Sequence, residues 1–165
     1  MTIYNFGSIV LDNFYRMPRI PVPGESVRAN DVNFGLGGKG ANQSIAARKA
    51  GSDVVHIGAI GFDGEHILNN LQKLKINTKH IYISSVKTGH ANITIDPKGE
   101  NAITFFAGAN DDQALERISL GLESALPKDI FLLQNEVSLV PEAAKIARSK
   151  SCLLYTSDAA DERLR

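Results

Sequence analysis

Gly35-Leu36-Gly37-Gly38-Lys39-Gly40-Ala41-Asn42-Gln43-Ser44 is the stretch on which the reading of this chain turns. Four glycines within six residues let backbone pass close to a ligand and turn its N–H groups toward it. Lys39 adds a mobile cationic donor, and Asn42 an amide that both donates and accepts. The Ala/Ile pattern from Ala41 to Ala50 reads as a helix opening directly out of the loop, which makes the segment a binding device.

Three kinds of glycine loop compete for it. A Walker A loop needs Gly-x-x-x-x-Gly-Lys followed by Ser or Thr. Here the residue five before Gly38 is Asn33, and the residue after Lys39 is Gly40, so that reading fails twice. The dinucleotide fingerprint Gly-x-Gly-x-x-Gly fits Gly35, Gly37 and Gly40, with Asp63 as a downstream ribose carboxylate. Against it stands the order of the chain. The fingerprint closes the first strand of its unit, whereas here an apolar run (Ile3 to Val10) and a proline-rich excursion come first.

The third reading rests on a longer pattern: Gly37-Gly38, Lys39 as spacer, Gly40, Ala41, Asn42, Gln43 and Ser44, then Gly51 and Gly61 at fixed gaps. This resembles the first signature of the ribokinase-like (PfkB) carbohydrate kinases. The resemblance runs from Ile3 to Ser149. It takes in Gly7-Ser8-Ile9 with Asp12, Pro23-Gly24-Glu25, Gly61-Phe62-Asp63-Gly64, Thr88-Gly89, Gly99-Glu100-Asn101, Gly108-Ala109-Asn110 and Gln134-Asn135-Glu136, in the order of the ribokinase branch.

The resemblance implies an α/β fold, a Rossmann-type parallel sheet flanked by helices with a small β lid. It implies transfer of a nucleotide γ-phosphoryl group to a hydroxyl of ribose or a related sugar, with nucleoside and fructose kinases as alternatives. ATP and Mg²⁺, with or without a monovalent cation, are the expected cofactors. A homodimer formed through the lid and a cytoplasmic location are implied as well. Matched position by position, the sugar falls to Asp12, Gly38, Lys39, Asn42 and Glu136, with Ala91 and Ile93 as apolar lid contacts. Plainer roles exist for each: a turn-capping Asp12, a solvated Lys39, a helix-start Asn42, a helix N-terminal Glu136, core packing for Ala91 and Ile93. One departure matters. Ribokinases carry Asn two residues before the position of Asp12, and this chain has Val10, which weakens the case for ribose itself.

The family's catalytic base is an Asp in a Gly-Ala-Gly-Asp motif. None occurs in the 165 residues, Gly108-Ala109-Asn110-Asp111 being a near look-alike, so no catalytic residue is assigned. From Cys152 the string Cys-Leu-Leu-Tyr-Thr-Ser-Asp-Ala-Ala-Asp-Glu reads as an in-frame sequencing adapter. The expected division is therefore residues 1–151 as the N-terminal part of the α/β domain and 152–165 as a non-native tail. On that reading the chain is an inactive fragment of an enzyme. The alternative is a genuine strand from Cys152 to Tyr155.

Composition narrows the rest. Hydrophobic residues make up 43% and charged residues 22%, as in globular domains. Zero net charge gives no reason to expect a nucleic-acid or membrane partner. The single cysteine, Cys152, permits no internal disulfide. His56, His66, His80 and His90 show no metal-ligand spacing, and Asp63 reads as a helix-start residue.

Strands are expected at Ile3 to Val10, Asp53 to Ile60, Ile130 to Gln134 and, shorter, His80 to Ser84. Helices are expected at Ala41 to Ala50, Gly64 to Lys75, Asp112 to Leu122 and Pro141 to Ser149. Two excursions interrupt this βαβ rhythm and mark the lid, at about 14–34 and 90–107. The first carries a strand from Val27 to Phe34. The second is a hairpin turning at Pro97-Lys98-Gly99, with Ala91, Ile93 and Ile95 on one face.

Overall fold

The computed structural model describes residues 1–157. In chain order its elements are β1 (Thr2–Phe6), β2 (Val10–Arg16), β3 (Asp31–Gly37), α1 (Lys39–Lys49), β4 (Asp53–Gly61), α2 (Glu65–Lys73), β5 (Asn77–Ser84), β6 (Gly89–Ile95), β7 (Asn101–Phe106), a 3₁₀ turn (Gly108–Asp111), α3 (Leu115–Gly121), β8 (Ile130–Gln134), α4 (Val140–Ser149) and β9 (Leu153–Ser157).

Strands β1, β4, β5, β8 and β9 form one parallel sheet in the order β5-β4-β1-β8-β9. Alternation along each strand splits its apolar residues between two layers. Tyr4 and Phe6 of β1, Ile57 of β4, and Phe131 and Leu133 of β8 pack on Ile118 and Leu122 of α3 and on Ala143 and Ala147 of α4. Val54 and Ile60 of β4 and Ile81 of β5 face the other way, with Ala41 of α1 and Ile67 and Leu71 of α2. A parallel sheet covered on both faces is what the strand–helix alternation implied. The chain begins at the sheet's centre, builds outward through β4 to β5, then crosses to β8 on the far side of β1. Ligands of open α/β sheets gather at such a reversal, outside the C-terminal ends of the two central strands.

The apolar run Ile3 to Val10 is not one strand. Strand β1 ends at Phe6, with the Gly7 N–H still donating to the Ile57 carbonyl of β4 at 3.1 Å, and Val10 opens β2 of a second sheet. Gly7 lies in the break: a Cβ there would overlap the Gln134 side chain and approach the Gly40 Cα to 2.7 Å, so a glycine is needed where helix, strand and loop converge. The second sheet has the order β3-β2-β6-β7. Its outer pairs are antiparallel and the central β2–β6 pair is parallel, joining the two excursions into one lid. Its strand bounds differ from those the sequence pattern marked: β2 covers 10–16 and so begins before position 14, whereas β3 covers 31–37, beginning and ending later than 27–34.

The expected helix at 112–122 is shorter, Leu115–Gly121, after the separate 3₁₀ turn. At the C-terminal end Cys152 is buried and Leu153–Ser157 pairs in parallel with β8, so a strand stands where the alternative placed one. Residues 158–165 of the expected tail lie outside the described residues.

Candidate functional site

The polar cluster at the topological reversal is built from three chain segments. Ser8 follows β1, Glu136 follows β8, and Gly38-Lys39-Gly40 leads β3 into α1. Gly38 sits at φ 91°, a left-handed conformation that suits glycine, and a Cβ there would lie 2.7 Å from the Ser8 carbonyl oxygen. That turn aims the first backbone N–H groups of α1 inward. Gly40 N–H donates to Ser8 Oγ at 3.3 Å, and Ala41 N–H donates to the Ser8 carbonyl at 2.9 Å.

Glu136 is the centre of the cluster. Its Oε1 pairs with Lys39 Nζ at 2.6 Å. Its Oε2 accepts from Ser8 Oγ at 2.6 Å and from the Lys39 N–H at 3.0 Å. Burial alone would push the Glu136 carboxyl above its ordinary value. Hydrogen bonds from Lys39 and Ser8, with the Lys39 charge, outweigh burial and leave it lower, so the group is held ionised.

Asp12 approaches from the lid. It is the third residue of β2, not a residue following the first strand as its sequence position suggested. Pairing places Asp12 opposite Gly35 of β3 and Ala91 of β6, and Phe14 opposite Ile93, so Asp12, Ala91 and Ile93 share one face of the lid. Gly37 must lack a side chain, because a Cβ would overlap the Asp12 carboxylate. Burial raises the Asp12 carboxyl pKa and the negative charge of Glu136 raises it further, which places the two carboxylates within electrostatic reach. Around Asp12 the face is apolar: Val10, Phe14, Ala91 and Ile93 flank it in register.

Asn42 lies one turn into α1 and is exposed, its N–H bonded to the Gly38 carbonyl at 3.0 Å. The structure thus gathers Gly38, Lys39 and Glu136 by direct contact and brings Asp12 near them. Ala91 and Ile93 extend the wall, and Asn42 stands at the margin. An ionised carboxylate with a neighbouring ammonium, and a second carboxylate on an apolar wall, can grip a polyol from more than one side.

The dinucleotide alternative loses its geometry. Gly35 and Gly37 lie inside β3 of the lid rather than in a turn after a parallel strand. Asp63 accepts from the N–H and the hydroxyl of Thr88, at 2.9 and 2.7 Å, and so ties the loop after β4 to the lid rather than starting a helix. Asn110 of the Gly-Ala-Gly-Asp look-alike is a strut: it accepts from the Ile9 N–H and donates to the Ile9 carbonyl, both at 2.9 Å.

Sequence reasoning missed Ser8 as a member of the site and read His56 as unconnected. His56 is fully buried and lies 2.8 Å from Ser44 Oγ. A polar residue within each of two apolar strand runs, Asn5 and His56, was the available signal. Among the described residues no three His, Cys, Asp or Glu side chains are grouped to hold a metal ion. No helix among them is long and apolar enough to cross a membrane.

Comparison with known proteins identifies the family. The sequence pattern of the pfkB family carbohydrate kinases matches residues 3–161. Ribokinase of Staphylococcus aureus (strain COL) is 33% identical over 150 residues, covering 87% of this chain and 49% of that protein. Deoxyribokinase of Salmonella typhi is 32% identical over 142 residues, 84% of this chain and 46% of the other. Among solved structures, ribokinase from Cryptococcus neoformans in complex with ADP superposes with a TM-score of 0.76 at 30% identity, over 96% of this chain and 51% of that one. The chain spans about half the length of the curated relatives it matches. By sequence and fold, this chain belongs to the pfkB family of carbohydrate kinases.

Proposed function

We propose that the chain carries the sugar-binding part of an ATP-dependent sugar kinase that phosphorylates a pentose, ribose or a close relative. The convergence of the Lys39 ammonium, the Lys39 N–H and the Ser8 hydroxyl on Glu136, with the Asp12 carboxylate in electrostatic reach, is the observation that carries this reading. Asp12 accepts sugar hydroxyls, Lys39 and Gly38 donate to them, and Asn42 closes the margin. Ala91 and Ile93 cover the carbon face, and Glu136 keeps Lys39 in place. These groups bind and orient the acceptor. ATP with Mg²⁺ supplies the phosphoryl group, as the ADP complex of the Cryptococcus relative makes reasonable. No base of the Gly-Ala-Gly-Asp type is present to take the hydroxyl proton, so binding without turnover is the activity proposed for the chain by itself. The exposed lid residues Phe34, Ile103, Phe105 and Phe106 support pairing of two lids in a homodimer.

The apolar surroundings of Asp12, Val10 among them, favour a second sugar, 2-deoxyribose, whose missing hydroxyl leaves no polar group unpaired against that wall. Calorimetric titration of the 165-residue chain with D-ribose, 2-deoxy-D-ribose, D-fructose, adenosine and a nicotinamide dinucleotide tests the reading. Saturable binding of a pentose, lost in Asp12→Ala, is the expected result. Dinucleotide binding without sugar binding overturns it.

A further inference from the structure

Beneath the Glu136 cluster runs a chain of buried polar groups with one direction. Asn5 Nδ2 lies 2.7 Å from the Gly40 carbonyl and 2.8 Å from Ser44 Oγ. A carbonyl only accepts, so the Asn5 nitrogen must be the atom facing it, and its Oδ1 must receive the Gln134 amide at 2.7 Å. The Ser44 oxygen accepts from Asn5, which leaves its proton for His56 Nδ1. His56 Nε2 then carries the hydrogen and donates to the Gly7 carbonyl at 3.2 Å. The same direction uses the Gln134 nitrogen for Asn5 and Gln43, and leaves Gln134 Oε1 buried with no partner among the described residues.

An orphaned buried acceptor is destabilising, and an apolar filling would avoid it. The chain of bonds has two ends with a common purpose. Gly7 is peptide-bonded to Ser8, and Gly40 follows Lys39; Ser8 and Lys39 are the donors to Glu136. Its members lie on β1, α1, β4 and β8, and β1, α1 and β8 are the elements whose ends carry Ser8, Lys39 and Glu136.

We infer that Asn5, Ser44 and His56 are positioning residues that set the spacing between Ser8 and the first turn of α1, and through it the grip on Glu136. The inference rests on this geometry and stands apart from which ligand the site takes. Carbon-13 NMR titration of the Glu136 carboxyl in the 165-residue chain reads the grip directly. In His56→Phe and in Ser44→Ala the carboxyl should titrate upward by about one pH unit, the equivalent of weakening one charge-assisted hydrogen bond. His56→Gln, whose amide can still donate to the Gly7 carbonyl, should retain more of the depression than His56→Phe. Ile118→Val, a destabilising change in the opposite layer, should leave the titration in place. If His56→Phe does not fold, Ser44→Ala carries the same expectation. An unmoved Glu136 in the folded variants, or an equal rise in Ile118→Val, overturns the inference.

Discussion

At the scale of single residues, the site works by setting neighbouring charges against one another. Burial and the negative Glu136 both hold the Asp12 carboxyl above its usual pKa. Removing that charge in Glu136→Gln should lower the Asp12 titration in an NMR pH series, and an unchanged value would show that burial alone sets it. Sugar binding through ionised Asp12 should weaken as pH falls through that raised pKa. His56 gives a separable signature in stability. Burial lowers its pKa from 6.5 to about 4, against the opposing hydrogen bond to Gly7. Between these values the unfolded chain binds a proton that the folded chain refuses, so His56's contribution is complete above pH 6.5. It falls by up to about 3 kcal/mol as pH drops toward 4. Urea midpoints across that range should decline in the parent and flatten in His56→Gln.

Elements, rather than residues, set the limit of what the sequence could tell. Gly38, Lys39 and Glu136 were legible because each sits at the end of an element whose start is written locally: a glycine turn before α1, an apolar run before Glu136. The boundaries within Ile3 to Val10 were not, since the groups packed against Gly7 at the break are Gln134 and Gly40, far off in sequence. Asn5 and His56 meet Ser44 only because β1 and β4 pair in one register, Asn5 opposite His56, and no local pattern specifies that register. Crowding at the same junction carries a prediction. Gly40→Ala would place a Cβ 2.5 Å from the Gly7 carbonyl carbon and the Ser8 nitrogen, both backbone. It should abolish sugar binding and lower thermal stability, whereas Gly51→Ala, which meets nothing within 4 Å, should bear only the cost of its positive φ and leave binding intact.

For the whole molecule, the division of labour follows from two sheets meeting at one reversal: the parallel sheet carries Ser8 and Glu136, the lid carries Asp12, and α1 bridges them. Every residue of β7 is exposed, Ile103 and Phe105 among them, so the lid offers a second copy an apolar edge. Light scattering after gel filtration should report a dimer that Ile103→Lys converts to monomer, with pentose affinity unchanged in the monomer if the site is complete within one chain. The most direct test of the central claim is an amide NMR map of the chain titrated with D-ribose and 2-deoxy-D-ribose. The account predicts saturable shifts centred on Ser8, Asp12, Gly38, Lys39, Ala91 and Glu136, absent in Asp12→Ala. Shifts centred elsewhere, or none with either pentose, would contradict it.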